Sequence, residues 1–442
     1  MKYLSLLILS LLLLACEAKK PESSLHASLS TPKEVDMKLS KMDRDQLYDK
    51  MLGMLAGSAI GDAMGAPTEM WARQDIQLEY GHVDSLDDMV REPSAEGIWD
   101  FNLQAGSTTD DTRWKVLLAD FLTGTSANVK NHQAELGAKA FADHLIEHYS
   151  KSLEKLKNTE GLDLEPYEDG MRRLEWLKEW IKVARPYAEG DIQGYSEALS
   201  QFYGGEMVCA GMLFAPILGA YYPGDPDWAY QQTYEADMFD LGYGRDISGL
   251  TAAMVAEAFK PDASPDSIIH LLRKTDPKGY FKSRLVGRTS YKVYQQALRI
   301  AREAKEIDVK SFFEGDIPVK LALPLETKED SLKYAQWSTA YQKLDQELMR
   351  YPFHPSEIFI VNHVALLMNE FDFVQTLAFV INYGRDNDTT AAVTGAILGA
   401  YWGADKLPEG MLAKVLKANL ELGYDLEKLA SRMTQSILAA NS

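Results

Sequence analysis

The sequence predicts an all-α fold. Apolar residues recur at helical spacing in long segments, runs of alternating β-branched residues are scarce, and two segments carry glycine at every fourth position. In chain order the helical segments are Gln46–Ala63, Thr112–Phe121, Gln133–Leu156, Met171–Ala188, Leu250–Phe259, Ser290–Ala304, Phe359–Met368, Phe373–Tyr383, Thr389–Trp402 and Glu409–Leu422. Residues 305–330 are rich in Gly, Pro and Asp and read as a surface insertion.

The chain opens on an address rather than on structure. Residues 2–16 place one positive charge, Lys2, before an apolar run that ends in Ala15-Cys16. The run is too short for a permanent membrane span and has the layout of a signal peptide. Leu13-Leu14-Ala15-Cys16 resembles the lipobox of bacterial lipoproteins. That resemblance implies removal of residues 1–15 and lipidation of Cys16, which becomes the new N-terminus. The alternative is an ordinary signal peptide with a chance cysteine. Residues 16–42, rich in Lys, Glu, Ser and Pro, lack a hydrophobic period and read as a flexible tether. Glu17 after the cysteine implies, by the same resemblance, the outer membrane of a Gram-negative cell envelope. The helical domain then occupies residues 43–442.

The glycines of the first helical segment are Gly53, Gly57, Gly61 and Gly65; those of a late one are Gly395, Gly399 and Gly403. At this spacing each series forms one bare stripe along a helix. Each glycine costs about 1 kcal/mol relative to alanine in a helix interior. Close backbone contact offsets such a cost, so the two helices are expected to pack together near the centre of the fold. A membrane dimer face is a poor alternative, because Asp62 and Glu69 interrupt the first segment.

Composition narrows the partners. The 442 residues are 46% hydrophobic, enough for a sizeable core, and carry a formal net charge of −19. That balance disfavours nucleic acid, which needs clustered Lys and Arg, and any electrostatic hold on anionic lipid. Membrane contact is therefore expected only through the N-terminal anchor. The two cysteines, Cys16 and Cys209, exclude a disulfide framework and a cysteine-based zinc site.

Three acidic motifs carry the chemistry. They are Gly61-Asp62-Ala63-Met64-Gly65-Ala66-Pro67-Thr68-Glu69, Thr109-Asp110-Asp111-Thr112, and Gly384-Arg385-Asp386-Asn387-Asp388-Thr389. In the last two, paired carboxylates precede a helical run. Asp and Thr cap helices, but one cap per helix suffices. Crowded like charges are destabilising unless a cation or proton compensates them. Hard oxygen ligands suit Mg, Mn or Ca. Asp110, Asp111, Asp386 and Asp388 together match the charge of two divalent ions. An EF-hand is excluded, since the glycine and the twelfth-position Glu are missing. On these residues alone, capping and metal binding both remain open.

The three motifs in this order resemble the ADP-ribosylglycohydrolase family, over roughly residues 45–425. The resemblance implies an all-α orthogonal multi-helix bundle with two Mg2+ ions, or Mn2+. Carried over by position, Thr109, Asp110 and Asp111 form one ligand set, and Asp386, Asp388 and Thr389 the other. Glu69 matches the family's catalytic glutamate. Asp62, Gly384 and Arg385 fall at substrate-contacting or supporting positions; for Asp62, capping is an equal reading. The implied activity is hydrolysis at the anomeric carbon of a ribose in a small or protein-linked ADP-ribosyl or related substrate. The alternatives are a di-metal hydrolase of another glycosidic or phosphate bond, and a non-catalytic protein on the same scaffold.

The sequence also departs from the family. Where the family's mid-chain loop has Asn-Gly and later Arg, this chain has Val208-Cys209 and Leu213, and Thr233–Asp240 lacks the downstream histidine. Arg385 stands where the family has glycine. The pocket for the remainder of ADP-ribose is therefore less supported than the metal site, and a nucleoside-like or other ribosyl compound is the alternative substrate. Tyr243-Gly244-Arg245-Asp246 echoes Tyr383-Gly384-Arg385-Asp386. Arg245 and Arg385 read either as anion ligands or as structural pairs. His144-x-x-Glu147-His148 has a zinc-peptidase spacing but no matching carboxylate downstream. Cys209 reads as a buried apolar group, and Trp71, Trp99 and Tyr383 as core or stacking residues.

Overall fold

Two helices buried along nearly their whole length form the axis of the structure, a computed structural model that describes residues 42–90, 102–124, 136–157 and 174–440. Cys16, nearly all of the tether and Trp99 lie outside the described residues. The first axial helix is Arg44–Gly65. A reciprocal capping box starts it: Gln46 N–H donates to Asp43 Oδ1 at 2.9 Å, and Asp43 N–H to Gln46 Oε1 at 3.2 Å. Every residue from Met51 to Gly65 is buried. The second, Asn387–Trp402, is buried from Asn387 to Ala400.

The glycine stripes face each other. A Cβ added at Gly57 would stand 2.4 Å from the Gly395 carbonyl oxygen, and one at Gly399 would stand 1.9 Å from that of Gly53. At Gly61 it would meet the Ala391 oxygen at 2.0 Å, and at Gly65 the Asp388 Cα at 2.3 Å. Numbers rise on one helix as they fall on the other, so the pair is antiparallel. This register sets the C-terminal end of the first helix, with Asp62 and Gly65, beside the N-terminal end of the second. At the opposite end Lys50 Nζ donates to the carbonyls of Ala258, Ala400 and Tyr401, tying down two helix C-termini. Burial lowers the pKa of this ammonium to about 8.

The remaining helices wrap this axis, and no strand occurs among the described residues. Asp110–Thr123, Ala210–Tyr221 and Gly244–Ala258 close one side. Trp114 fills the space among Trp176, Trp180, Phe214 and Phe239. Helices Thr289–Lys305, Lys328–Leu344, Pro355–Met368 and Phe373–Tyr383 close the other side. The stretch read as a surface insertion contains the short helix Val309–Glu314, which packs a satellite cluster around Phe312 and Tyr334.

Periodicity missed helices where no stripe exists. Ala210–Tyr221 is apolar all round and contains Pro216, so a search for alternating faces passes over it. Pro226–Ala236, Lys328–Leu344 and Leu426–Ala440 are further helices beyond the expected segments, the last although Leu426, Leu429, Ala430, Met433 and Ile437 do form a buried stripe.

The axial contact yields a sharp prediction. Gly57→Leu or Gly399→Leu places a side chain where backbone already sits, at a cost of at least about 3 kcal/mol, the upper range of overpacking. Both should abolish soluble, cooperatively melting protein. Gly410→Ala, whose added Cβ meets nothing within 4 Å, should leave the melting curve in place.

Candidate metal centre

The axial register brings the three acidic motifs to one point. From the first helix, the Asp62 carboxylate accepts the backbone N–H of Thr109 at 2.9 Å and of Thr112 at 3.0 Å, and the Thr112 hydroxyl at 2.6 Å. Asp62 thus anchors the start of helix Asp110–Thr123 to the axis. It bridges the first motif to the second. The second and third motifs then exchange hydroxyls. Thr109 Oγ1 donates to Asp388 Oδ2 at 3.4 Å, and Thr389 Oγ1 to Asp111 Oδ2 at 2.9 Å. Asn387 Nδ2 closes the ring by donating to Thr68 Oγ1 at 2.9 Å.

The loop after the first axial helix is locked to the loop before the second. Met70 N–H donates to the Arg385 carbonyl at 2.8 Å, and Arg385 N–H to that of Trp71 at 2.9 Å. Gly384 has φ +83°, and an added Cβ there would stand 2.6 Å from the Trp71 oxygen. Arg385 itself has φ +69°, a left-handed conformation that costs a non-glycine residue about 1 kcal/mol or more. Its side chain makes a two-pronged pair with Glu357 at 2.7 and 2.9 Å and donates to the Met349 carbonyl at 2.9 Å. These bonds hold Arg385 in place and commit its guanidinium to Glu357.

The carboxylates converge on a cavity of about 540 Å³. Oxygens of Glu69, Asp386 and Asp388 lie within 4.8 Å of one another, a spacing suited to a shared cation. Asp110, Asp111 and Thr389 line the same cavity; Thr109 joins them through its bond to Asp388, and Asp62 through its bonds to Thr109 and Thr112. Burial, then the neighbouring carboxylates, push these acids up. Asp62 and Asp386 rise to about 7, and Asp110 and Asp388 go well above the usual range. Asp388 Oδ1 is buried with no hydrogen-bond partner.

Helix capping does not account for this arrangement. Thr109 caps its own helix through Asp111 N–H, and Asp386 occupies a cap position without making a side-chain cap bond. The buried carboxylate of the echo motif, by contrast, is matched with a cation. Asp246, in the echo motif, is held by both arms of Arg288 at 2.7 and 3.0 Å and by the hydroxyls of Tyr230 and Ser290. Lys115, 3.5 Å from Asp111, is an ion-pair partner within the cavity group, and the charge of Arg113 opposes the rise of the Asp110 pKa. The chemistry of the set, clustered carboxylates plus threonine hydroxyls, fits hard divalent cations.

Other sequence candidates fall elsewhere. The echo is not a structural repeat, because Arg245 lies inside helix Gly244–Ala258 with its guanidinium 4.4 Å over the Tyr234 ring. Glu147 pairs with Lys151, and His144, Glu147 and His148 do not gather ligand atoms into a metal-binding group. Tyr383 is core, packed on Tyr341. Cys209 is buried and lines the cavity, its thiol pushed well up by burial and by Asp386. Trp180, Tyr203, Tyr351 and Phe353 complete the cavity wall. Sequence reading missed these four, since they come from three segments without a motif.

Known proteins resemble this chain in family and in fold. The family model for ADP-ribosylglycohydrolase matches residues 43–441. The chain is 22% identical over 390 residues to the ADP-ribosyl-[dinitrogen reductase] glycohydrolase of Rhodospirillum rubrum, covering 88% of this chain and 98% of that protein. It is 38% identical over 74 residues to the uncharacterized protein YegU of Escherichia coli, a match spanning 17% of this chain and 21% of YegU. A solved structure, described as an ADP-ribosylglycohydrolase-related protein complex, shares the fold with a TM-score of 0.52 at 16% identity, covering 89% of this chain and 99% of that one. The chain belongs to the ADP-ribosylglycohydrolase family.

Proposed function

We propose that the protein is a metal-dependent glycohydrolase that cleaves the bond at the anomeric carbon of a ribosyl compound. The observation that carries this reading is the convergence of Glu69, Asp386 and Asp388 within 4.8 Å on a cavity also lined by Asp110 and Asp111. Thr109, Asp110 and Asp111 would hold one divalent ion, and Asp386, Asp388 and Thr389 a second, with Mg2+ or Mn2+ suited to the oxygen donors. Bound there, such ions supply Lewis acidity and coordination positions for sugar hydroxyls.

The chain's own residues do the rest. Asp62 fixes the second motif against the axis, so the aspartates keep their spacing when charge enters. Thr109 and Thr389 cross-link the two ligand sets. Glu69 lines the cavity beside Asp386 and Asp388, where a carboxylate can take a proton from water or return one to a leaving group. Hydrolysis forms a bond from water oxygen to C1′ as the glycosidic bond breaks, through an oxocarbenium-like transition state. The water proton ends on the leaving group.

An envelope location accompanies this reading, supported by residues 2–16 and the Ala15-Cys16 junction. Cells fed labelled palmitate should label the wild-type protein and not Cys16→Ala; label in both would remove the anchor.

Metal binding is directly measurable. Saturating Mg2+ or Mn2+, at about 100 times its Kd, should stabilise the protein by about 2.7 kcal/mol and raise Tm by a few degrees. The effect depends on pH. Asp62 and Asp386 ionise near 7 in the metal-free fold, against 3.8 as free side chains. Between those values the fold holds protons that the unfolded chain has released. These groups therefore stabilise the metal-free protein at low pH and lose that contribution as pH rises through 7. Cations replace the protons, so the metal-induced Tm increase should be larger at pH 8 than at pH 6. An equal increase at both would count against the carboxylate site.

Asp388→Asn should cost at least about a hundredfold in activity, the scale of losing one electrostatic stabiliser. It should also abolish the Mg2+-induced Tm increase while leaving the helical circular dichroism spectrum intact. Full turnover in this variant would remove Asp388 from the ligand set. Turnover only of non-ribosyl compounds would move the protein to another di-metal chemistry.

A further inference from the structure

A pair of buried acids stands behind one wall of the cavity. Val208, Cys209, Ala210 and Leu213 line that wall, at the start of helix Ala210–Tyr221. Cys209 precedes the helix without making a side-chain cap bond. The cap comes instead from the turn at 237–240. Asp240 Oδ2 accepts Gly211 N–H at 3.1 Å and the Ser248 hydroxyl at 2.7 Å, joining this helix to Gly244–Ala258. Asp237 Oδ1 holds the turn, accepting the N–H of Phe239 at 3.2 Å and of Asp240 at 3.0 Å. Packing around Gly211 is tight: an added Cβ would stand 2.4 Å from Asp237 Oδ2 and 2.6 Å from Ser248 Oγ.

These bonds use one oxygen of each acid. Asp237 Oδ2 and Asp240 Oδ1 are buried, and no N–H or O–H of the described residues reaches either. The two carboxyl groups bond to each other, which needs a proton on one of them, because ionised carboxylates only accept. Charge asks for the same proton. Burial pushes Asp237 up, and Arg245, on helix Gly244–Ala258, opposes that rise. The other titratable neighbours are Tyr195, facing Asp237, and Cys209, facing Asp240; burial pushes both up, so they stay neutral. One guanidinium balances one carboxylate, and the second buried acid escapes an uncompensated charge by keeping its proton. Burial, then Asp237, accordingly pushes Asp240 well above the usual carboxylate range.

We infer that Asp237 and Asp240 share a single proton and, through Gly211 and Ser248, position the cavity wall at Cys209 and Ala210. The Asp240 oxygen fixes the first turn of helix Ala210–Tyr221, and the shared proton keeps that oxygen aimed at Gly211 without a second buried charge. This role goes beyond the ribosyl-hydrolase reading and takes from it only the cavity. The proton has a thermodynamic signature. In the unfolded chain both acids, with an ordinary value of 3.8, have lost their protons above about pH 5, while the folded pair keeps one. Folding therefore takes up a proton. Wild-type folding weakens about tenfold for each unit of rising pH until the pair releases it.

Asp237→Asn replaces the shared proton with an amide N–H that no pH removes. In the full chain, the Tm of this variant minus that of the wild type should climb by a few degrees between about pH 5 and pH 7. The acids of the metal centre and Lys50 titrate alike in both proteins and cancel in the difference. A difference that stays level or falls overturns the shared proton. Hydrogen exchange, read by peptide mass, tests the wall. Asp240→Ala should speed exchange of the peptide bearing Cys209, Ala210 and Gly211 about tenfold, the scale of losing a cap, while residues 51–65 keep wild-type protection. Asp240→Asn, which keeps an acceptor for Gly211, should restore slow exchange. Wild-type exchange in Asp240→Ala overturns the positioning role. Should that variant not fold, Ser248→Ala, which frees Asp240 from helix Gly244–Ala258, should speed the same peptide, and wild-type exchange there overturns the role instead. Neither measurement needs turnover, so the pair can stand where ribosyl hydrolysis fails, and the reverse.

Discussion

Backbone-to-backbone contact between the two axial helices is the constraint on which the rest depends. A Cβ at Gly53, Gly57, Gly395 or Gly399 would fall 1.9–2.4 Å from a carbonyl oxygen of the other helix. Side chains cannot enter that interface, so the helices meet in one register. That register sets Gly65 against Asp388 and Asp62 within reach of Thr109 and Thr112. In the chain 278 residues separate Asp111 from Thr389, and the glycine stripe is what brings the third motif to the other two.

Charge balance distinguishes Asp246 in the core from Asp386 at the cavity. Asp246 and Asp386 share the tetrapeptide Tyr-Gly-Arg-Asp. Asp246 lies within a helix, and Arg288 neutralises it in the core. Asp386 precedes a helix, behind Gly384 and Arg385 at positive φ, and faces other carboxylates. Burial and neighbouring negative charge raise it to about 7, and a cation at the cavity would favour its ionised form. The Arg385 pair with Glu357 stabilises the strained turn. It also withdraws the one guanidinium that the third motif brings near the site.

The aromatic wall has a different origin. Trp180 comes from helix Lys178–Glu189, Tyr203 from the turn Phe202–Gly205, and Tyr351 and Phe353 from the segment before helix Pro355–Met368. A family scaffold supplies the carboxylate end, and these segments supply the other end.

The sequence by itself determined the all-α class, the closeness of the two glycine-bearing helices and the identity of the acidic motifs. Each is a local signal: a 3.6-residue period, a fourfold glycine spacing, and more carboxylates than two helix caps need. It also raised the doubt about the pocket, through Val208, Cys209 and Leu213. Only the tertiary structure decided which acids share a cavity, that Asp62 works by holding the second motif, and that Arg385 is committed to Glu357. It alone revealed the aromatic wall, and helix Ala210–Tyr221, whose uniformly apolar surface leaves no period to read. The physical reason is range. Propensity and spacing act over a few residues, whereas charge compensation and ring stacking depend on neighbours that only folding brings within a few ångströms.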